Sequence, residues 1–266
     1  MKQPTLSDHP FPLKVVILAG GLGTRLAEET DVKPKPMVEV GERPLLWHIM
    51  KHYSHHGFRE FFIALGYKGS VIKRYFLDYH ANSGSITVDL SNGKSQIYET
   101  NTEDWKVHLI DTGLETNTGG RVRRLREWLG NETFMLTYGD GVSNVPLDQV
   151  LAFHRSHGKL VTLTAVRSPA RFGALNFDGD RISRFEEKSK LEEGWINGGF
   201  FIVEPEALRY IDSDVMWEHG PMERLAAEQQ LFAYRHEGFW QCVDTLRDLK
   251  YLESLWFDGN PAWKTW

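Results

Sequence analysis

The first segment with a clear pattern is Lys14-Val15-Val16-Ile17-Leu18-Ala19, an unbroken apolar and β-branched run that ends in Gly20-Gly21. A run without polar alternation belongs to a strand buried on both faces, and the glycines mark the turn that leaves it. From Pro44 to His56 the period changes. Leu45, Ile49 and Tyr53 recur at fourfold spacing, proline suits the first helical position, and Gly57 suits the residue just past the end, so a helix with one core-facing stripe is predicted. Phe61 to Leu65 then predicts a second buried strand and Val71 to His80 a returning helix, the strand and helix alternation of a parallel sheet.

The alternation is interrupted from Ser85 to Ile110, where alternating segments broken by Asn92-Gly93 predict an antiparallel excursion with a hairpin turn. It resumes with a helix at Val122 to Leu129 and a strand at Thr133 to Tyr138 that runs straight into Gly139-Asp140-Gly141. A helix from Pro146 to His157 is closed by Gly158, and a strand follows from Leu160 to Val166. Shorter strands are expected around Gly173 to Phe177, Ile182 to Glu186 and Ile196 to Val203. Helices near Met222 to Gln230 and Leu246 to Trp256 enclose a strand-like Phe239 to Val243. With no internal repeat or linker to divide it, the chain is expected to form one α/β domain over 14–266 around a mixed, mostly parallel sheet. A short extension, 1–13, precedes it, and a helical and aromatic tail ends it.

The composition excludes several classes of function. Of the 266 residues 41% are hydrophobic and 25% charged, as in ordinary globular proteins. Thirty-six acidic against thirty-one basic side chains leave a net charge of −5, so neither nucleic acid nor an anionic membrane is an expected partner, and an anionic ligand must be met by local charge. Cys242 is the only cysteine, so no intramolecular disulfide can form. No stretch is long and apolar enough to span a bilayer, and Met1 to Leu13 lacks a basic start followed by an apolar run; a cytoplasmic protein is expected.

Local chemistry gathers first at Gly20-Gly21-Leu22-Gly23-Thr24-Arg25. A glycine turn after a buried strand can aim backbone N–H groups at a phosphate, although the same turn also serves as a plain connection. Thr24-Arg25 stands where a Walker loop needs Gly-Lys-Ser/Thr, and Leu65-Gly66-Tyr67 offers no acidic residue where a dinucleotide fingerprint needs one. Downstream, the prolines of Lys33-Pro34-Lys35-Pro36 hold the chain extended and fix its cations near the turn, as neutralising a polyphosphate requires. Asp140 lies at the carboxyl end of a strand between two glycines, where open α/β sheets place ligand groups. Asp244 reads equally well as a metal ligand or as the cap of the following helix. Asp248 reads as structural, and Arg121, Arg123, Arg124 and Arg126 as a solvated helix face. His52 and His56 have the spacing of a metal pair but lack the accompanying glutamate, and Cys242, among aromatic and apolar residues, reads as packing.

Taken together, Leu18-Ala19-Gly20-Gly21-Leu22-Gly23-Thr24-Arg25-Leu26 and Lys33-Pro34-Lys35-Pro36-Met37 resemble the signature of the sugar-1-phosphate nucleotidyltransferases. The resemblance extends through Leu46 to Met50, Thr137 to Gly141, Ile196 to Phe201, Asp244 to Asp248 and Trp263 to Trp266. It implies a Rossmann-like three-layer fold and Mg2+-dependent joining of a nucleoside triphosphate to a sugar 1-phosphate, in the branch that uses CTP and glucose 1-phosphate. Homo-oligomers are common in the family. The resemblance also implies site residues. Arg25 and Lys35 would act on the triphosphate, and Leu18, Ala19, Gly20, Gly21, Gly23, Thr24, Thr118, Gly119, Gly139 and Asp140 would line the nucleotide site. Asp140 and Asp244 would hold the metal. Arg171, Gly173, Glu187, Lys188, Asn197 and Gly198 would meet the sugar phosphate, although Ser189 follows Lys188 where the family has proline.

Overall fold

The computed structural model describes residues 13–167, 174–178, 181–186 and 194–266. Seven strands form the central sheet: β1 (Lys14–Ala19), β2 (Glu60–Leu65), β3 (Lys106–Asp111), β4 (Phe134–Tyr138), β5 (Val161–Arg167), β6 (Trp195–Val203) and β7 (Leu231–His236). Their spatial order is β7-β5-β6-β4-β1-β2-β3. β1 lies parallel to β2, with Ile17 opposite Ile63, and parallel to β4, with Ile17 opposite Thr137. Only β6 runs antiparallel to its neighbours, so the sheet is mixed and mostly parallel.

The unbroken apolar runs are explained by two cores, one on each face. Val15, Ile17 and Ala19 point into a cluster with Leu45, Ile49 and Tyr53 of the helix Leu45–His55, while Val16 and Leu18 point into another with Val122, Leu125 and Trp217. Sheet and two covering layers make the three-layer architecture. The predicted stripe Leu45, Ile49, Tyr53 is fully buried. Of the C-terminal tryptophans, Trp263 enters the first core, stacking on Trp256 with ring centroids 6.2 Å apart.

Three elements differ from the sequence reading. Lys106–Asp111 is not part of the antiparallel excursion. The hairpin Ser85–Asp89 with Lys94–Tyr98 stands alone and exposed, and the chain then returns to the sheet as parallel edge strand β3, Phe62 opposite His108. The helix expected at 122–129 starts earlier, at Thr118, and is broken at Leu125 into Thr118–Arg124 and Arg126–Leu129. β7 was not anticipated because its apolar run Leu231-Phe232-Ala233-Tyr234 is short, shows no alternation and follows directly on the segment expected to be helical up to Gln230.

The topology locates the site. From β1 the chain moves one way to β2 and β3, then crosses back to β4 on the other side of β1. Ligands of open α/β sheets bind where strand order reverses, beyond the carboxyl ends of the strands, which here are Ala19-Gly20 and Tyr138-Gly139-Asp140.

Candidate active site

Asp140 and Asp244 are brought together by a two-strand ladder outside the main sheet. Gly141–Ser143 pairs antiparallel with Trp240–Cys242, Cys242 opposite Gly141, and the Val243 N–H donates to the Asp140 carbonyl at 2.9 Å. The two aspartates therefore leave the same end of the ladder side by side. The helix Leu246–Phe257 is capped by Thr245, which exchanges hydrogen bonds with Asp248, so the sequence ambiguity over Asp244 is resolved: it is not the cap. Asp248 Oδ2 also accepts from the Asp244 N–H at 3.1 Å and holds that backbone in place, the structural role its position suggested.

Lys35 reaches both acids. It opens a short 3₁₀ turn, Lys35–Met37, between Pro34 and the buried Pro36. Its Nζ donates to Asp140 Oδ2 and Asp244 Oδ1, each at 2.7 Å, with only 12% of the side chain exposed. Burial works to lower the ammonium pKa. The charge and hydrogen bond of Asp140, followed by those of Asp244, outweigh burial and hold it above the usual lysine value, so the cation is permanent at neutral pH. Lys33 faces away, toward Glu29 and Glu39.

The glycine turn rests on a residue whose role the sequence reading missed. Arg121, placed there on a solvated helix face, is 4% exposed. Its Nη2 donates to the carbonyls of Gly20 and Leu114 at 3.0 Å, and its Nη1 to Leu65 O, Gly113 O and Thr112 Oγ1 at 2.7–3.1 Å. A Cβ at Gly20 would lie 2.2 Å from Arg121 Nη1, and one at Gly66 2.4 Å from it, so both glycines make room for the guanidinium. One available signal was spacing. Arg121 stands four residues before Leu125, on the same side of the helix as the apolar residues.

Above this floor opens a cavity of about 380 Å³ lined by Leu18, Ala19, Gly20, Gly21, Gly23, Thr24, Lys35, Thr118, Gly139, Asp140 and Asp244, all expected, and by Thr116, Arg121 and Tyr138, which were not. Gly119 packs against Val215, where a Cβ would meet the Val215 carbonyl at 2.7 Å, and does not line the cavity. Arg25 lies in the turn Thr24–Leu26, with its side chain outside the described part of the structure. A second cavity, about 270 Å³, is lined by Asn197, Gly198, Trp240 and Cys242. Tyr138, Asp140 and Asp244 line both cavities. Arg171, Gly173, Glu187 and Lys188 lie outside the described residues.

The other candidates are structural. Burial, reinforced by the charges of Asp244 and Asp140, pushes the Cys242 thiol up to about 12, so it stays protonated and unreactive. His52 is lowered to about 3 by burial, and its Nδ1 lies 3.1 Å from Thr265 Oγ1. His154 sits between Thr162 Oγ1 (2.8 Å) and Glu204 Oε1 (2.9 Å), as in a nucleophile relay, but Thr162 is completely buried, so no substrate can meet it. Among the described residues, no three His, Cys, Asp or Glu side chains cluster as a metal cage, and no helix is long and apolar enough to cross a membrane.

The nucleotidyl transferase family model matches residues 14–250. Glucose-1-phosphate cytidylyltransferase of Salmonella typhi is 49% identical over 256 residues, covering 96% of this chain and all of that protein, and the enzyme of the same name from Salmonella typhimurium gives the same figures. Among solved structures, HddC from Yersinia pseudotuberculosis aligns over 92% of this chain and 99% of its own, with a TM-score of 0.65 at 21% identity, a likeness of fold. A glycine turn, a bridging lysine and two converging aspartates at the switch point, within a match that spans nearly the whole chain, lead to one conclusion: the protein belongs to the nucleotidyl transferase family.

Proposed function

We propose that the protein joins CTP to α-D-glucose 1-phosphate, giving CDP-glucose and pyrophosphate. The observation that carries this reading is the Lys35 ammonium bridging Asp140 and Asp244 where two cavities meet. A reaction between two phosphorylated substrates needs a shared point with fixed cation and anion groups, a compartment on each side and little else. The names of the substrates come from the relatives' activity, at 49% identity over their full length.

In this reading the larger cavity takes the nucleotide, with its triphosphate over the glycine turn, and the smaller takes the sugar phosphate. An oxygen of the sugar 1-phosphate attacks the α-phosphorus of CTP. The bond from that phosphorus to the oxygen bridging to the β-phosphate breaks, and pyrophosphate leaves with the electron pair. The attacking oxygen is already anionic, so no base is needed. Lys35 meets the charge that develops on the α-phosphate, the Arg121 guanidinium adds a fixed positive charge beneath the turn, and Asn197 and Gly198 receive the sugar. Arg25, Arg171, Gly173, Glu187 and Lys188 are assigned to the triphosphate and the sugar phosphate on the resemblance alone.

Asp140 and Asp244 fit a magnesium ion. They are two hard-oxygen donors converging on one point, which the Lys35 ammonium spans as a cation of the structure's own, and magnesium takes few protein carboxylates while keeping water and substrate oxygens. When bound, Mg2+ would neutralise phosphate charge and stabilise the departing pyrophosphate. We also read 14–266 as one catalytic domain. The protein self-associates in this reading, supported by the uncovered Ile86, Val88 and Leu90 of the exposed hairpin region, and works in the cytoplasm. Pyrophosphate release assayed across nucleoside triphosphates and sugar 1-phosphates tests the proposal: CTP with glucose 1-phosphate should exceed every other pair in kcat/KM by at least about tenfold. A stronger preference for another pair would replace the substrate names, and no turnover with any pair would end the proposal.

A further inference from the structure

The two cavities share a wall, Tyr138, and what holds that wall lies outside both. The Tyr138 hydroxyl donates a short hydrogen bond to Glu218 Oε1. The other carboxylate oxygen, Oε2, accepts from Thr118 Oγ1 at 2.7 Å, and Thr118 Oγ1 in turn accepts from the Trp217 N–H at 2.8 Å. Thr118 starts the helix that carries Arg121 and lines the nucleotide-side cavity. On the other side the Tyr138 oxygen receives a longer bond, 3.4 Å, from Asn197 Nδ2, while Asn197 Oδ1 accepts from the Gly199 N–H at 2.8 Å. Gly199 has φ +80°, and a Cβ there would come within 2.5 Å of the Tyr138 ring, so the backbone of the acceptor strand is shaped around this ring. Glu218 lines neither cavity. Its backbone is anchored by Trp217, which is completely buried in the second core.

From this chain of bonds we infer that Glu218 is a positioning residue, acting through Thr118 on the nucleotide side and through Tyr138 and Asn197 on the acceptor side, so that one carboxylate sets the geometry of both substrate cavities. The inference rests on the assignment of the two cavities to nucleotide and sugar phosphate. Its chemical logic is a donor and acceptor count. A carboxylate accepts from two hydroxyls at once, one on each oxygen, whereas a glutamine amide presents an acceptor to one and a donor to the other. A carboxylate oxygen can only accept, so the Tyr138 hydroxyl is the donor in its bond to Glu218 Oε1. With that proton committed to Glu218, the lone pairs of the phenol oxygen face the Asn197 amide. This fixes the amide's orientation and leaves its remaining N–H and carbonyl lone pair for a sugar hydroxyl.

The bonds predict a split in Michaelis constants that a purely structural role would not produce. Four variants are compared with wild type by pyrophosphate release under saturating co-substrate: Tyr138→Phe, Thr118→Val, Glu218→Gln and Glu218→Asp. Tyr138→Phe keeps the ring and should raise KM for the sugar phosphate about tenfold with KM for the nucleotide within twofold. Thr118→Val should do the reverse, and Glu218→Gln should raise both. Glu218→Asp, which keeps two acceptor oxygens on a shorter arm, should recover part of the loss. The result that overturns the inference is Glu218→Gln with both constants within twofold of wild type, or the single variants moving the two constants together. A lower melting temperature alone, with no change in either constant, counts as the first of these. The assay uses whichever substrate pair wild type turns over fastest, so a pair other than CTP and glucose 1-phosphate would overturn the substrate names and still test Glu218.

Discussion

Replacing Lys35 by methionine keeps the stem of the side chain and removes its charge, which separates two contributions the structure combines. Lys35 Nζ is 2.7 Å from one oxygen of each aspartate, so those two oxygens are at most twice that distance apart. Two like charges about 5 Å apart at an effective dielectric constant of about 20 repel by about 3 kcal/mol. Asp140 and Asp244 are 33% and 20% exposed, so water at the cavity mouth screens this to about 1–3 kcal/mol. In EDTA, Lys35→Met should therefore lose about 1–3 kcal/mol of stability by urea titration. Millimolar Mg2+, a substitute cation between the two acids, should restore much of that loss and stabilise the variant more than wild type. Turnover should not return with it. Magnesium would replace the charge between the acids but not the ammonium that the proposed reaction needs at the α-phosphate, so kcat should stay down by about 10²–10³ at saturating metal. The reasoning is refuted by a variant that keeps a kcat within threefold of wild type, or by one whose stability in EDTA is unchanged.

Three further outcomes follow from the same geometry. Asp244→Asn keeps the side-chain shape and removes a charged donor, so the Mg2+ concentration for half-maximal activity should rise at least about tenfold; an unaltered metal titration would dismiss Asp244 as a ligand. Gly20→Ala puts a Cβ 2.2 Å from Arg121 Nη1 and should cost about 1–3 kcal/mol by urea titration and raise KM for the nucleotide, whereas the Cβ of Gly21→Ala meets nothing within 4 Å and should leave stability unchanged; equal stability for the two would mean the guanidinium yields freely. His48 is lowered to about 4 by burial, its Nε2 donating to Val40 O at 3.0 Å and its Nδ1 accepting from Trp263 Nε1–H, so only the neutral ring fits. The folded-state value lies below the unfolded 6.5, so its stabilisation is complete above about pH 6.5 and falls by about 3 kcal/mol as pH drops toward 4; His48→Gln should flatten that part of the urea-midpoint profile, and an unchanged profile would refute the assignment.

What was legible in the sequence and what was not divides along a physical line. Strands β1 and β2 and the helix at 45–55 were readable because burial on one or both faces writes itself into consecutive residues. Asp140 and the glycine turn were readable because they end such strands. The register that sets Asp140 beside Asp244 depends on Val243 meeting the Asp140 carbonyl across a hundred residues, and no local pattern encodes a pairing that distant. β3 was misassigned and β7 missed because each is a short, half-solvated edge strand whose place in the sheet is set by a distant partner rather than by its own pattern.

Arg121 shows where local rules mislead most. A sequence rule that places arginine in water is right for Arg123, which is exposed and donates to the carbonyl of Asp212, and wrong for a neighbour two residues earlier. The difference lies in partners on other elements: the Gly20 carbonyl at the end of β1, Leu65 at the end of β2, and Thr112 to Leu114 beyond β3. Burying a guanidinium is costly unless its donors are met, and here they are met by strand-end carbonyls, of which Gly20 and Leu65 also accept from the Tyr67 and Thr112 N–H groups through their second lone pair. Arg121 thus ties together the carboxyl ends of three neighbouring strands and places positive charge under the turn with one side chain. In the proposed function this is the local charge that would let the strand-end cavity receive an anion in a protein whose net charge is negative.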